Sequence, residues 1–551
     1  MTKILFIVPP YISYESFVNP DFNERAVIKK SGNYGSIVTD MPIGLLSLSA
    51  YLKKHSSAEV MLIDFNIILN KIENFDYGSF SELYRDVLMS KEWIDYAPDI
   101  IGISALFTPT YHNMIAVGQV AKDIFFNALI ISGGGMSTVV PGEIFRDSDC
   151  FDALCYGEGE KPLLGLVMAD NKKEFLKNNL SWITKEKVKS GQQFQYDFIA
   201  DLDEIPPYDY GILKIQDYGL NPTVKNYVSF GDGKVKQVFH IATSRGCPHR
   251  CCFCASHQVH GRKMRYHSVG RVKEDLECLK EKYEAETIGI QDDSFMVDKK
   301  RALEIINVVK ELEMKIFFQS GLALYALDRN MLEAIKAAGL NELVLAVESG
   351  SSRVLKKIMR KPVSLPIIKR VVDDCRQLGI STDVNILIGL PGETKQDIED
   401  TRNFLKTLPA TWFRFYIATP LVGSEMFDIC VQNNYLKGDY IGCDFKRAIV
   451  ETEDFTPEYI KEIVYFLNLE LNFVCNSDFK LGNYETALKG FENVIRVKSD
   501  HAIAYYYAAK CYEKLGNSEK SRQYADKARQ IAEENPFWRN YMDKFNIPYN
   551  K

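Results

Sequence analysis

Short apolar runs alternate with amphipathic stretches between residues 3 and 418 of this chain, in two successive series. Most runs have the length of a buried strand in a parallel sheet. The predicted strands are 3–8, 59–64, 100–105, 127–132 and 151–156 in the first series and 238–243, 287–291, 316–319, 342–347, 383–388 and 413–418 in the second. The alternation predicts two consecutive α/β domains, and the first series is typical of a doubly wound parallel sheet.

Length and composition limit the classes of protein to consider. At 551 residues the chain is too long for one core, so several domains are expected. No apolar run approaches the ~18 residues that cross a bilayer, and the N-terminus leads directly into a predicted strand. We therefore expect a cytoplasmic protein without a membrane span, and the twelve cysteines suit a reducing compartment. The net charge of −6, without a basic block, argues against a nucleic-acid partner.

The run SRGCPHRCCFC places Cys247, Cys251 and Cys254 at C-x3-C-x2-C spacing. Three thiolates on one tight loop can hold three irons of a 4Fe-4S cluster, which leaves the fourth iron open to a ligand that is not a cysteine. The alternative is three ordinary cysteines in a reduced protein. Cys252, inside the same run, is expected to be a small packing residue rather than a ligand.

With a Gly, a Pro and the aromatic Phe253 in place, this loop resembles that of the radical S-adenosylmethionine (SAM) superfamily. The resemblance implies that the amine and carboxylate of SAM bind the open iron, that the reduced cluster cleaves SAM, and that Phe253 lies against the adenine. It also implies that the second series forms a partial (β/α)6 barrel over residues 236–430. The chemistry is then expected at the carboxyl ends of the barrel strands.

The same resemblance assigns polar residues to the SAM site. Asp292 and Asp293, in IGIQDDSF, follow a strand where family members present polar groups toward the methionyl amine, although one of them could instead cap the next helix. Glu348 and Ser349 end another strand, where a carboxylate needs a partner such as the ribose hydroxyls. Helix capping by Ser351 is the alternative there.

The run NILIGLPGET resembles the G-x-I-x-G-x-x-G-E element of the same fold. The resemblance places Leu387 against the adenine and matches Gly389, Gly392 and Glu393. Asn385 stands where the element has its first glycine, so the register of this element is open.

Glycines follow two strand ends of the first series, at 133–135 and at 157 and 159. An open α/β sheet places its ligand crevice at such ends, and glycine lets a bulky ligand approach the backbone, although tight turns also need glycine. The runs PDIIGISALFTPTYHN, ISGGGMST and DALCYGEGEKPLL resemble the N-terminal domain of cobalamin-dependent radical SAM proteins, here residues 1–170. The residues assigned to cobalamin are Ser104, Thr108, Gly133, Gly134, Gly135, Gly157, Glu158 and Gly159.

The loop after the first strand, VPPYISYESF, lacks the D-x-H-x-x-G that supplies a lower cobalt ligand in the wider cobalamin fold. His55 and His112 are the histidines of this domain, and both are expected at the surface. We therefore expect cobalamin to bind without a histidine on cobalt, as the resemblance to the radical SAM branch implies. The alternative is a domain that has lost the cofactor and serves as a scaffold.

Two further segments complete the chain. Residues 171–235 are polar and turn-prone, which predicts a linker, and residues 431–467 predict a connecting helical extension. In 468–551 the runs LGNYETALKGF and LGNSEKSRQYA are offset by 34 residues, the period of tetratricopeptide helix pairs. Such pairs predict a docking site for a peptide or carrier protein, whereas a plain helical bundle is the alternative.

The resemblance over residues 1–430 implies an enzyme with a 4Fe-4S cluster, SAM and cobalamin. The implied reaction is methylation of an unactivated carbon or phosphorus centre in a small or medium-sized metabolite, at a cost of two SAM molecules per turnover. A reductant such as flavodoxin or ferredoxin is the implied protein partner. The alternatives are a cobalamin-dependent cyclisation or rearrangement, and an assembly or carrier-recognition protein built on the C-terminal repeats.

Overall fold

The computed structural model describes residues 1–20, 26–106, 108–220, 237–442 and 447–549. Residues 221–235 of the predicted linker, with parts of the other predicted segments, lie outside this range. Along the chain follow an α/β domain with a six-stranded sheet, an open barrel of parallel strands, and a group of C-terminal helices.

Six strands form the mostly parallel sheet of the first domain. They are β1 (Lys3–Val8), β4 (Glu59–Asp64), β5 (Ile100–Ser104), β6 (Leu129–Gly133), β7 (Ala153–Cys155) and β8 (Trp182–Ile183), while β2 (Ala26–Lys29) pairs with β3 (Gly32–Gly35) in a separate hairpin. The strand order is β4-β1-β5-β6-β7-β8, with β8 antiparallel to β7. Leu5 and Ile7 enter one core while Ile4 and Phe6 enter another, so the sheet is buried on both faces, as predicted.

Helices cover both faces of this sheet. They are α1 (Tyr14–Val18), α2 (Ile43–His55), α3 (Phe65–Lys71), α4 (Phe80–Leu88), α5 (Lys91–Tyr96), α6 (Tyr111–Ile124), α7 (Gly135–Val139), α8 (Pro141–Asp147), α9 (Glu160–Met168), α10 (Lys172–Asn178) and α11 (Lys185–Lys189). Polar residues begin several of them, because a side-chain oxygen accepts from a free backbone N–H. Ser79 caps α4 in this way, and Asp64 at the end of β4 caps α3.

The first part of the predicted linker is structured. Trp182 in β8 is fully buried beside Leu163 and Leu176, and its indole N–H donates to the carbonyl of Pro162 at 3.2 Å. One large side chain therefore docks an otherwise polar segment against the sheet. Polarity alone predicts a linker here and cannot reveal a two-residue strand.

Six parallel strands form the second domain. They are β9 (Phe239–Ile241), β12 (Thr287–Ile290), β13 (Lys315–Phe318), β14 (Glu342–Glu348), β15 (Ser381–Ile388) and β16 (Trp412–Ile417), and a short antiparallel pair, β10 (Ser244–Arg245) with β11 (Arg265–Tyr266), follows β9. The ladders β13-β12-β9 and β14-β15-β16 are joined by a parallel bridge between Leu322 and Leu345. All six predicted strands are present, and the order β9-β12-β13-β14-β15-β16 gives an open barrel.

The barrel helices follow its strands. They are α12 (His257–His260), α13 (Val269–Tyr283), α14 (Lys299–Glu311), α15 (Arg329–Ala337), α16 (Leu365–Gln377), α17 (Lys395–Leu405) and α18 (Glu425–Gln432), with a π-helical turn at Val354–Ile358. Thr394 and Asp397 form a capping box at the start of α17.

The C-terminal helices form their own core and also contact the barrel. They are α19 (Pro457–Leu469), α20 (Ser477–Lys480), α21 (Tyr484–Val497), α22 (Ala502–Lys514), α23 (Ser518–Glu534) and α24 (Pro536–Lys544), with a π-helical turn at Glu470–Val474. Phe473, Phe491 and Trp538 are fully buried in this core. The amide of Asn472 bonds both the N–H and the carbonyl of Phe413 at 2.8 Å, which ties the helices to β16. Within the described ranges, no helix is long and apolar enough to cross a membrane.

Candidate active site

The three motif cysteines lie on one loop between β10 and α12. Gly246 begins the loop with a φ of 93°, and a Cβ there would meet the carbonyl oxygen of Lys263 at 2.6 Å, so this turn requires glycine. The N–H of Cys247 donates to the carbonyl of Gly261 at 3.4 Å, and that of Cys254 donates to Cys251 at 3.2 Å. These bonds fold the loop back on itself.

The thiols of Cys247, Cys251 and Cys254 are all partly exposed and close enough to influence one another electrostatically. Burial raises the pKa of Cys247 and of Cys251, so both favour the neutral thiol until a metal displaces the proton. In the described part of the chain no three His, Cys, Asp or Glu side chains form a group that could hold a metal ion. A 4Fe-4S cluster does not need three side chains around a single ion, because each thiolate binds a different iron. A loop that presents three separate thiols therefore fits a cluster.

Cys252 turns away from these three thiols. Its side chain is 4% exposed in the barrel core, and burial raises its pKa to about 12. Its N–H donates to the carbonyl of Met359 at 3.1 Å and its carbonyl accepts from Met426 at 2.8 Å. Cys252 therefore anchors the loop to the barrel.

Asp292 and Asp293 point in different directions. Asp292 is 2% exposed, and its carboxylate accepts from the N–H of Thr243 at 2.5 Å, from the Thr243 hydroxyl at 2.7 Å and from the Ser244 hydroxyl at 2.6 Å. These hydrogen bonds fix Asp292 within the protein, and its contact with SAM stays a prediction. Neither aspartate caps the next helix, because Asp298 caps α14. Asp293 is partly exposed beside Cys247, in keeping with a place at the site.

Glu348 lies at a β-bulge at the end of β14, with a φ of 70° that side chains other than glycine rarely adopt. Its carboxylate forms an ion pair with Lys361 at 3.2 Å. The ammonium of Lys361 also lies 5.8 Å from the centre of the Phe253 ring, and its charge counteracts the burial of Cys251. Lys361, which no sequence pattern indicated, thus joins the predicted ribose and adenine residues to the cluster loop.

The other residues predicted near SAM have structural contacts. Ser349 is fully buried and bonds the hydroxyl of Thr401 at 3.0 Å, and its contact with the ribose stays a prediction. Ser351 donates to the carboxylate of Asp397 at 2.8 Å, and its hydroxyl accepts from the N–H of Val354 at 3.4 Å, as expected for a helix cap. Leu387 is partly exposed and lies on the face of β15 opposite the buried Ile386 and Ile388, as expected for a residue toward the barrel interior.

Gly389 and Gly392 shape the turn after β15, with φ values of 97° and 81°. The turn surrounds Glu393, whose carboxylate accepts from the N–H groups of Gly389 at 2.7 Å and Leu390 at 3.2 Å. Burial raises the pKa of Glu393 to about 7. The turn after β15 therefore depends on the backbone conformation of its glycines and on these hydrogen bonds to Glu393. Asn385 lies within β15 and does not disturb the turn.

The carboxyl edge of the first sheet is the expected crevice for cobalamin. In the order β4-β1-β5-β6-β7 all strands are parallel, but successive strands are added first on one side of β1 and then on the other. The strand order therefore reverses between β1 and β5, and open α/β sheets bind ligands at such a switch point. Ser104 and the run Gly133, Gly134 and Gly135 are partly exposed at this edge. Accessible backbone at adjacent strand ends fits a broad, flat ligand.

Packing within the protein explains several glycines of this edge. A Cβ on Gly134 or Gly135 would lie 2.9 Å or 2.6 Å from the carbonyl oxygens of Ala105 and Leu106, so two loops are pressed together there. Gly157 is buried under the ring of Tyr196, 2.5 Å from where its Cβ would be. Gly159 lies against Leu48, and Thr108 is 4% exposed. Gly157 and Thr108 therefore have packing roles within the protein, and their contacts with cobalamin stay predictions.

Glu158 forms ion pairs within the protein, and its contact with cobalamin stays a prediction. It is 5% exposed and pairs with Arg265 at 2.9 Å, with Arg245 at 3.2 Å and with His260 at 2.8 Å. The nearby Glu160 pairs with Arg245 at 2.5 Å. Despite burial, the arginines hold the pKa of both carboxyls below their ordinary values. Because Arg245 precedes the cluster loop and Arg265 follows it, these residues form an interdomain clamp.

The histidines of the first domain are placed as expected. His55 is exposed at the end of α2, which leads into β4, so it lies at the opposite edge of the sheet from the crevice. His112 is mostly exposed and bonds the carboxylate of Asp439 at 2.7 Å. That cobalamin binds here without a histidine on its cobalt remains a prediction.

Comparisons with known proteins match this arrangement. Residues 36–167 match the B12 binding domain and residues 241–405 match the radical SAM superfamily. The chain is 29% identical to an uncharacterized methyltransferase, PH0819, of Pyrococcus horikoshii over 84% of this chain and 90% of that protein. It is 26% identical to cytidylyl-2-hydroxyethylphosphonate methyltransferase of Streptomyces wedmorensis over 78% and 86%. The fold resembles that of OxsB, a cobalamin-dependent SAM radical enzyme, with a TM-score of 0.61 and 15% identity over 99% of this chain and 80% of that chain.

The chain is an enzyme with the two domains of the cobalamin-dependent radical SAM proteins that it resembles. It joins a B12-binding domain to a radical SAM domain, and its cofactors are a 4Fe-4S cluster, SAM and cobalamin. The C-terminal helical region lies outside both matched segments.

Proposed function

We propose that this enzyme transfers a methyl group to an unactivated carbon or phosphorus centre of a small or medium-sized metabolite. The similarity to methyltransferases over most of their length supports the proposal. When bound, the cofactors would supply the methyl group and the radical that activates the substrate. Cys247, Cys251 and Cys254 would hold the cluster, and the exposed edge formed by Ser104 and residues 133–135 would hold cobalamin.

The protein itself contributes geometry and shielding. The interdomain clamp holds the cluster loop against the first domain, and the β-bulge at Glu348 turns its carboxylate toward Lys361 and Phe253. Such fixed placement of reacting groups is a main contribution of a protein to cofactor chemistry. An oxygen-sensitive cluster also suits the cytoplasmic location proposed from the sequence.

The reaction type can be tested with methyl-labelled SAM. Reconstituted enzyme is incubated without oxygen with a metabolite extract of the source cells, and label is traced by mass spectrometry. We expect a labelled metabolite, with S-adenosylhomocysteine and 5′-deoxyadenosine formed in about equal amounts, because methyl transfer consumes two SAM molecules. 5′-Deoxyadenosine formed alone, with every metabolite unlabelled, would favour the cyclisation or rearrangement alternative.

We also propose that the C-terminal helices are tetratricopeptide pairs that bind a peptide or carrier protein. Gly482 and Gly516, 34 residues apart, have φ values of 82° and 79°, which supports a repeated turn. A cleft of about 230 Å³, lined by Tyr506, Lys510 and Arg529 among others, offers a surface. The double variant Lys510→Glu, Arg529→Glu should no longer capture a peptide or carrier protein that the control variant Lys489→Glu, at an exposed lysine, still captures. Equal capture by both variants would indicate that the helices only support the barrel.

A further inference from the structure

Six exposed cations border the loop that carries the three motif cysteines. They are Arg250, Arg262 and Lys263 from the loop and its continuation, and Lys356, Lys357 and Arg360 from the segment after β14. We call this set the basic rim. Its members come from two stretches about 100 residues apart, which is why no basic block is visible in the sequence.

The two stretches are in direct contact. The N–H of Cys252 in the first stretch donates to the carbonyl of Met359 in the second at 3.1 Å. Within the first stretch, the guanidinium of Arg262 donates to the carbonyl of His249 at 2.5 Å. The charge of Arg360 acts on the thiols of Cys251 and Cys252. The basic rim therefore lies on the cluster loop and on the segment that packs against it.

The charge of the basic rim is largely unbalanced. Residues 246–263 and 354–363 contain seven Lys and Arg residues and no Asp or Glu, in a chain with a net charge of −6. Arg360 pairs with Glu425. Across the described ranges, the other five rim cations form no ion pair with a carboxylate. A concentration of one charge raises the local potential and attracts partners of the opposite sign.

We propose that the basic rim is the docking surface for an acidic electron-carrier protein. The inference rests on the proposed function, since the cluster must gain one electron before each SAM cleavage while the carrier is oxidised by one electron. The three cysteines that would hold the cluster are partly exposed on the loop that carries half of the rim, so a carrier seated there would bring its own redox centre close. Redox partners use small, transient interfaces, in which complementary charge sets orientation and association rate.

RNA is the other polyanion that such a surface could attract. The position of the basic rim favours a redox protein, because the rim lies beside the cysteines that would hold the cluster.

The test compares two triple variants with equal charge change. The rim variant is Lys263→Glu, Lys356→Glu, Lys357→Glu, and the control is Lys173→Glu, Lys177→Glu, Lys300→Glu, three exposed lysines elsewhere. None of the six lies among the proposed cluster or cofactor residues. Substrate-free formation of 5′-deoxyadenosine from SAM is measured with reduced methyl viologen, a small cation, or with a reduced bacterial flavodoxin of net negative charge.

We expect the rim variant to lose at least tenfold in flavodoxin-driven rate while its methyl-viologen-driven rate stays within twofold of the unmodified enzyme. The control should match the unmodified enzyme with both reductants. Raising the salt concentration should slow the flavodoxin reaction of the unmodified enzyme and of the control, and have less effect on the rim variant. Flavodoxin binding, measured by calorimetry, should weaken for the rim variant alone, and this readout needs no SAM cleavage.

Several outcomes would overturn the proposal. Equal flavodoxin binding and equal rates in the rim variant and the control would show that the carrier docks elsewhere. Equal loss with both reductants would place the rim in the SAM site instead. Loss of binding to transfer RNA, with flavodoxin binding unchanged, would make the surface a nucleic-acid site. Absence of SAM cleavage with methyl viologen in the unmodified enzyme would count against the proposed function, and flavodoxin binding would still decide the docking.

Discussion

Four cysteines in one short run have two different environments. Cys247, Cys251 and Cys254 are partly exposed on the loop, whereas Cys252 is buried in the barrel core and fixed by two backbone hydrogen bonds. Exposure, rather than spacing alone, separates the predicted ligands from the anchor. A thiol that is buried in an apolar core is held as the neutral form and is poorly suited to bind iron.

Replacing all three predicted ligands by Ala should abolish the cluster, because three thiolates are the minimum that holds a cubane with an open iron. The Cys252→Ala variant is the matched control, and it should keep its cluster despite a loss of core packing. Iron and sulfide analysis after anaerobic reconstitution measures both. Cluster that survives the triple change would show that other cysteines are the ligands.

The neighbouring aspartates offer a second matched pair. In Asp292→Asn an amide replaces a carboxylate that accepts three hydrogen bonds, and a hydrogen bond to a charged group contributes about 1.5–3 kcal/mol. We expect a loss of stability of about 2–3 kcal/mol in the apo-protein, measured as a lower thermal midpoint. Asp293→Asn should leave the free energy of unfolding within about 0.5 kcal/mol of that of the unmodified protein and weaken SAM binding instead. Weaker SAM binding in Asp292→Asn, with binding unchanged in Asp293→Asn, would assign the SAM contact to Asp292.

At the scale of elements, the hydrophobic pattern predicted the strands, because their formation depends on local sequence. All eleven predicted strands are present, because buried parallel strands are short apolar runs whatever lies around them. The pattern missed β8, whose single buried Trp182 docks it, and it gave no sign of the contacts that Ser349 and Glu158 make within the protein. Those two side chains have protein partners 52 and 107 residues away in sequence, Thr401 and Arg265, and local sequence does not encode such pairs.

The C-terminal helices contain a histidine that should make them sensitive to acid. His501 is buried against Phe473 and Trp538, and its Nδ1 accepts from the N–H of Ala504 at 3.1 Å. Burial lowers its pKa from 6.5 to about 3. Between these values the unfolded chain binds a proton that the folded chain does not, so stability is fully present above pH 6.5 and falls as the pH drops.

We expect this one group to cost about 2 kcal/mol of local stability between pH 6.5 and 5, from ~1.4 kcal/mol per pH unit. His501→Asn keeps an oxygen that can cap α22 but removes the titration, so its stability should depend less on pH. Hydrogen exchange of the amides in α22 and α24, corrected for intrinsic rates, measures the difference. Equal pH dependence in both proteins would contradict a buried, neutral His501.

At the scale of the whole molecule, the interdomain clamp connects the two cofactor domains. Glu158 lies in the loop after β7 and Glu160 begins α9, while Arg245, His260 and Arg265 flank the cluster loop. The clamp is thus part of both domains, and neither domain alone would satisfy its buried charges. The pKa of each carboxyl lies below its ordinary value, so the clamp stabilises the folded chain fully above about pH 4.5 and loses that contribution as the pH falls further.

The variant Glu158→Gln tests whether the clamp sets the geometry between the cofactors. It keeps the shape of the side chain but leaves Arg265 buried without its carboxylate, and breaking one side of a buried ion pair costs about 3–5 kcal/mol. We expect the variant to load cluster and cobalamin like the unmodified enzyme at pH 7. The spin–spin interaction between the reduced cluster and cob(II)alamin, measured by electron paramagnetic resonance, should become weaker and more heterogeneous as the domains loosen. Glu143→Gln, at a partly exposed glutamate of α8 that lies outside the clamp, is the control. An unchanged interaction in Glu158→Gln would mean that other interdomain contacts fix the distance, and loss of the cluster itself would make Glu158 a support of the loop alone.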